Sequence, residues 1–575
     1  FFAGGTANTT FAGSHSLSNG DILVSGSTDD LAWTGNAPRT EWNVPEQTGF
    51  LAGNGTSHGI VLQLSPDLTT IKHVYFFPKG PISDVNRIRS TEVPGNPTGA
   101  VYLSGGFAVM PGYWIARLDA NFVERTPTGP VWLKEIRAAG DHRTQPRWDL
   151  RNDGHVIYVS GTPYSHDWSG LGVLDGSSGE TGVMPDWPQE GGGPTLPLKA
   201  ARKNSLRSAT QADFDHRQED ENDNPGRKGK YPDDYYFQGP ELGGPGYTGY
   251  RLGPNSTQRV GQIAIDRRSN YLYFGYSTQT KLPGGLPDFE PAFVAMTDTG
   301  KLLWWARGYK EVERSGEKTG DSPDSLNSPP DQYVDSVGID YANDRVVIAA
   351  RCHGNGVINY WGADNIKRNK GRKGFQSRFT GTNGNIHISW IAKYGLLDGK
   401  IYAATYVAEL ADGSQGKPTG GLLRGWPDPN AGWMDVNTTR IHSMEVDYLG
   451  RPHILAIGRR PFTTRNALIE NVPPGKGVSA WSPFARVYDT KLTDLDYSTI
   501  LRGHWDKKTG ASTDDKAAVT SITPLDGGLL VTGTHTRGAS GKVTELPTVN
   551  VPAWGSAKIP AHASTFIALL PTSGQ

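Results

Sequence analysis

Residues 264–278 read AIDRRSNYLYFGYST. A short apolar arm meets a tight polar turn, and an aromatic-rich arm then runs out into Gly, Ser and Thr. That is the pattern of an antiparallel hairpin. The second arm returns along the whole chain, as DILVSGST (21–28), AVYLSGG (100–106), HVIYVSGT (155–162), NYLYFGYST (270–278), DRVVIAAR (344–351), HILAIGRR (453–460) and GLLVTGTH (528–535). Each copy follows another short strand across a polar turn, as in SLSNGD, GIDYANDR, VDYLGRP and ITPLDGG. Such self-similarity marks a repeat architecture.

A third strand follows every copy after a variable gap: IVLQLSPD (60–67), WIARLDAN (114–121), LGVLDGSS (171–178), AFVAMTDT (292–299), SWIAKYGL (389–396), FARVYDTK (484–491) and TFIALLPT (565–572). A fourth often comes next: HVYFFPKG (73–80), VWLKEIRA (131–138), LLWWARGY (302–309), KIYAATYV (400–407) and STILRGHW (498–505). Four antiparallel strands, a to d, repeated seven times predict an all-β fold: a seven-bladed β-propeller of four-stranded antiparallel blades. The expected blades run over approximately 10–80, 84–138, 146–188, 257–309, 332–408, 440–505 and 517–575, in a single propeller domain covering 1–575, with 190–256 as a long loop insertion on one face. Copy three has the weakest pattern, because its fourth strand is not evident.

The seventh copy ends just after its third strand, and the chain opens FFAGG, which resembles the fourth strands YFFPKG and WWARGY. Residues 1–5 are therefore expected to supply the missing outer strand of the last blade. That closes the ring, covers Phe1 and Phe2, and removes an exposed sheet edge. Phe1 is not a methionine start, so the numbering is expected to begin at a processed or trimmed end.

The stretch PDFEP (287–291) followed by AFVAMTDTGKLLWWARGY (292–309) resembles the bacterial β-propeller repeat called SBBP, whose motif runs roughly D-AFVAKLD-x-x-G-x-LLW. VLQLSPDLTTIKHVYFF and WIARLDANF follow it more loosely. The resemblance touches all seven blades and is sharp in the fourth. It implies a propeller of the kind found in secreted or cell-surface bacterial proteins, and it implies no reaction.

Composition agrees with short strands and many turns: Gly 73 and Pro 40 are abundant, and long runs of helix formers are absent. At 575 residues the chain is too long for one ordinary core unless its architecture repeats. The formal net charge is -1, which gives no global field toward nucleic acid or an anionic membrane. No run reaches the roughly 20 apolar residues that cross a bilayer. Cys352 is the single cysteine, so an intrachain disulfide is excluded.

The a–b and c–d turns are short, whereas insertions fall in the b–c and d–a connections, at 29–58, 353–387, 461–482, 536–562, 188–256, 310–331 and 409–439. All of these project from one rim, and long loops held to one face point to function. They carry Trp33, Trp42, Trp168, Trp361, Trp426, Trp433 and Trp481, read as contact aromatics for a protein or a glycan. The alternative is that such loops bury their aromatics in small cores of their own. The acidic run at 219–223 lacks EF-hand spacing; calcium is the one ion it suggests, against a solvated polar loop.

Chemical motifs are few. There is no G-x-S-x-G, no H-E-x-x-H and no phosphate loop. The exits of strand b carry Arg351 and His353 in blade five, Arg459 in blade six and His535 in blade seven, with His387 in GTNGNIHISW near the same rim. These five residues form a candidate ligand site at the channel mouth on the long-loop face. Two histidines alone make a poor transition-metal site, so no metal is assigned. TDTGKLLW (297–304) is similar to the repeat of quinone-dependent propeller dehydrogenases, although the adjacent cysteine pair of that class is missing. A sugar lyase or hydrolase would need two carboxylates or a Tyr/His pair in one cleft. N-x-[ST] at Asn8, Asn54, Asn255 and Asn437, and LPTSG at 570–574, read as chance matches.

The expectation is a secreted or cell-surface bacterial propeller that binds a protein partner, itself or a glycan through its long-loop face. It has no predicted cofactor beyond calcium, no nucleic-acid partner and no transmembrane segment. The alternative is a carbohydrate-active or quinone-dependent enzyme with its site at the channel mouth of that same face.

Overall fold

The computed structural model describes residues 2–3, 8–44, 55–92, 99–106, 113–136, 147–160, 170–182, 258–280, 288–298, 302–307, 332–353, 374–375, 387–399, 401–407, 439–459, 465–467, 481–501, 516–536 and 564–571. Their strands form seven antiparallel sheets, the blades of a β-propeller. The inner strands a are Thr9–Ser16, Arg87–Ser90, Trp148–Leu150, Gln258–Asp266, Gln332–Asp340, Thr439–Val446 and Lys516–Leu525. Each packs against the next in chain order, and the seventh packs against the first, so the ring is closed around a channel.

Strand b of each blade lies in the middle of its sheet. Ile22–Thr28 is buried along nearly its whole length, as is Val101–Gly106. A strand covered on both faces reads as a continuous apolar run with small residues, which is why the b strands give the plainest repeat in the sequence. The cover comes from neighbouring blades. Leu23, Val61, Leu103 and Trp114 share a core between blades one and two, and Val347, Ile391, Ile454 and Phe484 share one between blades five and six.

Indoles clasp one blade to the next. Trp132, on the outer strand of blade two, donates from Nε1 to Gly176 O in the c–d turn of blade three at 3.1 Å. Trp304, on the outer strand of blade four, donates to Leu396 O of blade five at 2.9 Å and stacks on Tyr394 with ring centroids 5.8 Å apart. Gly399, in that turn of blade five, has φ +57 and lies under the indole; a Cβ there would come within 2.4 Å of Trp304. Only glycine meets both demands.

Ring closure occurs through the N-terminal strand. Phe2 pairs with Phe566 and Ala3 with Thr565, so Phe2–Ala3 is the outer strand of the seventh blade. Ala3 is buried with Phe11, Leu530 and Ile567. Thr520 Oγ1 donates to Phe11 O, and Phe11 N donates to Thr565 Oγ1, which sews blade one to blade seven. Phe1, Gly4 and Gly5 lie outside the described residues.

Two details go beyond the sequence reading. Blade three does have a fourth strand, Thr181–Gly182, paired with Val173 and Leu174. Blade one has a fifth, Arg39–Glu41, which runs parallel to the outer strand Ile71–Phe76 after a 3-10 turn at Ala32–Thr34. That strand leads Trp42 inward. Trp42 is fully buried, stacks on Tyr75 at 5.2 Å and donates to Pro127 O at 3.2 Å. It is a core residue and not a surface contact, because its ring fills the gap between the outer strand of blade one and Phe122 of blade two.

Two outcomes test this architecture. Trp304→Ala should destabilise the chain by about 3–5 kcal/mol, as expected for a buried aromatic truncated to a cavity, measured by denaturant unfolding. Deleting residues 1–5 should lower the thermal midpoint and promote aggregation through the bared edge of Ser564–Pro571; an unchanged midpoint would show that closure adds nothing to stability.

Candidate functional site

The site begins with the a–b turns. Strand a of blades four and five ends in Asp266 and Asp340, and that of blade six is followed by Asp447; their carboxylates accept from the turn backbone: Arg268 N, Asn343 N and Leu449 N, each at 3.0 Å. An aspartate that satisfies its own turn in this way fixes the turn without helix or disulfide. The blade-five turn is secured further. Lys393 Nζ donates to Asp340 at 2.8 Å with both side chains buried. Asp447 is pushed up by burial, but bonds from His453 and Arg451 outweigh it and hold the carboxyl down at about 2. The residue after each aspartate is thereby aimed at the channel mouth: Arg267, Tyr341 and Tyr448.

These three residues border a cavity of ≈ 650 Å³ on the short-turn face, floored by Arg87, Arg89, Asp149 and Glu445. In strand a of blade two, period-2 geometry sends Arg87 and Arg89 into the channel and Ile88 into the core beside blade one. Arg89 Nη2 pairs with Glu445 Oε1 at 2.7 Å. Arg267 reaches Asp149 at 3.7 Å and Glu92 O at 3.1 Å. Arg87 donates to Gln262 Oε1 at 3.2 Å and lies over Trp148. His15 Nε2 is 2.9 Å from Ser90 Oγ.

Burial and neighbouring charges both act on the cations of this floor. Burial, then repulsion from Arg89, brings Arg87 down to about 9. His15 is lowered to about 3 by burial, then by Arg89 and Arg267, so it stays neutral. Arg89 is also desolvated, but Glu445 and Asp149 overcome that and raise it. Asp149 and Glu445 thus answer this charge, and Asp447 and Asp526 line the same cavity.

A narrower cavity of ≈ 280 Å³ continues inward, sharing Ser14, Arg87, Arg89 and Glu445 with the first. Here the inner strands carry β-bulges. The pairing slips between Phe11 and Gly13, Val260 and Ile263, Val334 and Ser336, Ile441 and Ser443, and Val519 and Ser521. Each bulge turns an extra residue to the channel, among them Gln262, Asp335, His442 and Thr520. Burial raises Asp335 to about 6 against the pull of Arg351, Arg147 and Arg440. Its Oδ1 lies 3.3 Å from Arg351 Nε, and its Oδ2 has no hydrogen-bond partner among the described residues. His442 is lowered to about 4 by burial, then by Arg351 and Arg440.

Of the residues singled out from sequence, Arg351 reaches this channel through Asp335. The backbone register sets His353 opposite His387, Arg459 opposite Trp481 and His535 opposite Ser564, all at the long-loop ends of their strands. The cavities described above run from the other end of the inner strands. Trp33 is half-buried, with its indole bonded to Thr28 Oγ1. Trp168, Trp361, Trp426 and Trp433, and the acidic run at 219–223, lie outside the described residues. Sequence reasoning missed Arg87, Arg89, Arg267, Asp335 and His442. Tyr341 and His15 do share one cavity, but the Tyr341 hydroxyl is held by Arg267 N and Ile265 O and burial raises it, so it is no base. Among the described residues no group of three or more His, Cys, Asp or Glu is placed to hold a metal, and no helix is long and apolar enough to cross a membrane.

No family model matches the chain, and no curated protein matches it. Among solved structures, the europium-containing methanol dehydrogenase aligns over 94% of this chain and 93% of its own, at 14% identity and a TM-score of 0.34. The PL25 ulvan lyase, a polysaccharide lyase, aligns over 84% of this chain and 91% of its own, at 10% identity and a TM-score of 0.31 in its saccharide-bound structure. A second structure of that lyase gives 9% and 0.30 over the same shares.

Both channel histidines are held below 6.5, so between that pH and about 4 the unfolded chain binds more protons than the folded one. Their contribution to stability is full above pH 6.5 and is lost as pH falls through this window. The double variant His15→Gln, His442→Gln should lose less stability than the parent between pH 6.5 and 4 in denaturant titrations. Parallel curves would show that the histidines are not held neutral.

Proposed function

We propose that this chain is a binding propeller that holds a small anion in the short-turn mouth of its channel. The supporting observation is the convergence of Arg87, Arg89 and Arg267 on one ≈ 650 Å³ cavity, where one of the lining carboxylates, Asp447, is already taken by Arg451 and His453. Guanidiniums removed from water are best satisfied by the paired oxygens of a carboxylate, phosphate or sulfate. The volume suits a small molecule. Binding is preferred to catalysis because the histidine of this cavity and Tyr341 are already engaged: His15 with Ser90, and Tyr341 with the main chain. In the same proposal the long-loop face serves a protein partner, a second copy or a glycan, and the secreted or cell-surface setting rests on the SBBP resemblance of blade four.

Sulfate is a suitable probe, because its own charge is constant from pH 5 to 8. Calorimetric titration should show saturable binding, weakened about tenfold or more in Arg87→Gln, the loss expected for a charged hydrogen bond. Affinity should fall as pH rises through about 6, where Asp335 ionises and adds a negative charge at the channel waist. In Asp335→Asn that pH dependence should vanish. Binding that is indifferent to Arg87→Gln would overturn the reading.

A further inference from the structure

The waist of the channel holds hydrogen-bonding groups of both kinds that no described residue answers, and from this we infer that it is a second site, separate from the mouth, which takes a small neutral polyol through a hydroxyl donated to Asp335. This goes beyond the anion reading and does not depend on it.

The waist is the ≈ 280 Å³ cavity inward of the mouth, and the β-bulges make its girdle. At the slip in strand a, blades one, four, five, six and seven present Ala12, Gln262, Asp335, His442 and Thr520. All five border the cavity. Strands hold these positions, and a site built on strands is more sharply defined than one built on loops. The two sides of the girdle differ. Toward blades seven and one, the hydroxyls satisfy their neighbours: Ser14 Oγ lies 2.9 Å from Ser521 Oγ, and Thr520 Oγ1 donates to Phe11 O at 2.6 Å. Toward blades five and six they do not. The Asp335 side chain is nine-tenths buried, its Oδ1 rests beside Arg351, and its Oδ2 has no hydrogen-bond partner among the described residues. His442 and Ser443, adjacent in blade six, are half-buried, and no described residue shares a hydrogen bond with either side chain.

A buried carboxylate oxygen without a donor is costly, so Asp335 Oδ2 marks where a donor belongs. That donor is not a cation, because Arg351, Arg147 and Arg440 already act on this carboxylate and would repel one. An anion is opposed by the Asp335 carboxylate itself. A neutral donor is what the position admits. Burial, then Arg351 and Arg440, holds His442 neutral, so one ring nitrogen donates and the other accepts. The Ser443 hydroxyl does both. A single hydroxyl on the occupant would answer Asp335 alone; several hydroxyls on a short carbon skeleton answer all three side chains. Ile88, Val337, Met444 and Ile522 stand between the polar groups and suit the C–H faces of such a skeleton. The volume lies at the lower end of small-molecule sites, with room for a polyol of about six carbons or fewer.

The test is calorimetric titration of the full chain, in sulfate-free buffer, with glycerol, glucose and myo-inositol. Ethylene glycol dimethyl ether, whose oxygens accept but do not donate, is the control. At least one polyol should bind saturably and about tenfold or more tighter than the ether, the margin of a hydrogen bond to a charged group. Asp335→Asn removes that charge at nearly constant volume and should weaken the same polyol about tenfold. Sulfate, titrated separately at pH 7, should bind this variant no more weakly than the parent. Should Asp335→Asn fail to fold, Ser443→Ala takes one hydroxyl from the same wall and should weaken the polyol about threefold or more. Polyols that bind no tighter than the ether, or with equal affinity to parent and Asp335→Asn, would overturn the inference and leave the anion site standing. A polyol that binds where sulfate does not would remove the anion reading and leave this site.

Discussion

A blade of this protein has two apolar faces and, among the described residues, no helix layer to cover them. Each blade must therefore be covered by its neighbours, and the whole ring depends on contact between consecutive sheets. Trp132 and Trp304 make that contact directional. Each reaches from an outer strand to the turn of the following blade, where a main-chain carbonyl accepts the indole N–H. Between blades three and four, polar groups bridge the seam as well: Asn152 and Asn270 exchange hydrogen bonds, and Ile265 N donates to Asp149. Asp149 thus serves both the ring and the channel.

With the outer part of the ring fixed, the inner strands tolerate irregularity. Five of them carry bulges that would weaken an isolated sheet. The bulges turn polar residues into a space shared by guanidiniums and carboxylates. Burial in that space keeps the two histidines neutral and raises the Asp335 carboxyl.

The architecture was legible in the sequence because the b strands are covered on both sides and cannot vary much. HILAIGRR and GLLVTGTH stand out for that reason. Thr181–Gly182 was not legible, since two residues carry no period, and neither was Arg39–Glu41, whose pattern is polar and whose pairing is parallel. Trp42 was read outward because a loop indole has no periodicity to give its direction; its burial depends on Tyr75 and Phe122, far away in sequence. For the site, the conspicuous Arg and His residues at the exits of strand b drew attention to one end of the channel. The quieter signal was the alternation Arg87-Ile88-Arg89 in an inner strand. Asp335 and His442 could not be placed at all without the bulges, since a single extra residue reverses the face to which a strand residue points.

The pairing of Phe2 with Phe566 also sets an order of events. Phe2–Ala3 is made well before its partner Ser564–Pro571, and must wait for it. Until then blade one shows an open flank, with Phe11, Ile22 and Val24 awaiting Leu530 and Ile567. The nascent chain is thus an unfinished arc with an adhesive surface at each end. Joining those ends is a long loop closure that local hairpins cannot hasten. The seventh blade is the last to be completed, and a chain interrupted before residue 564 would be open to joining another arc in place of its own end.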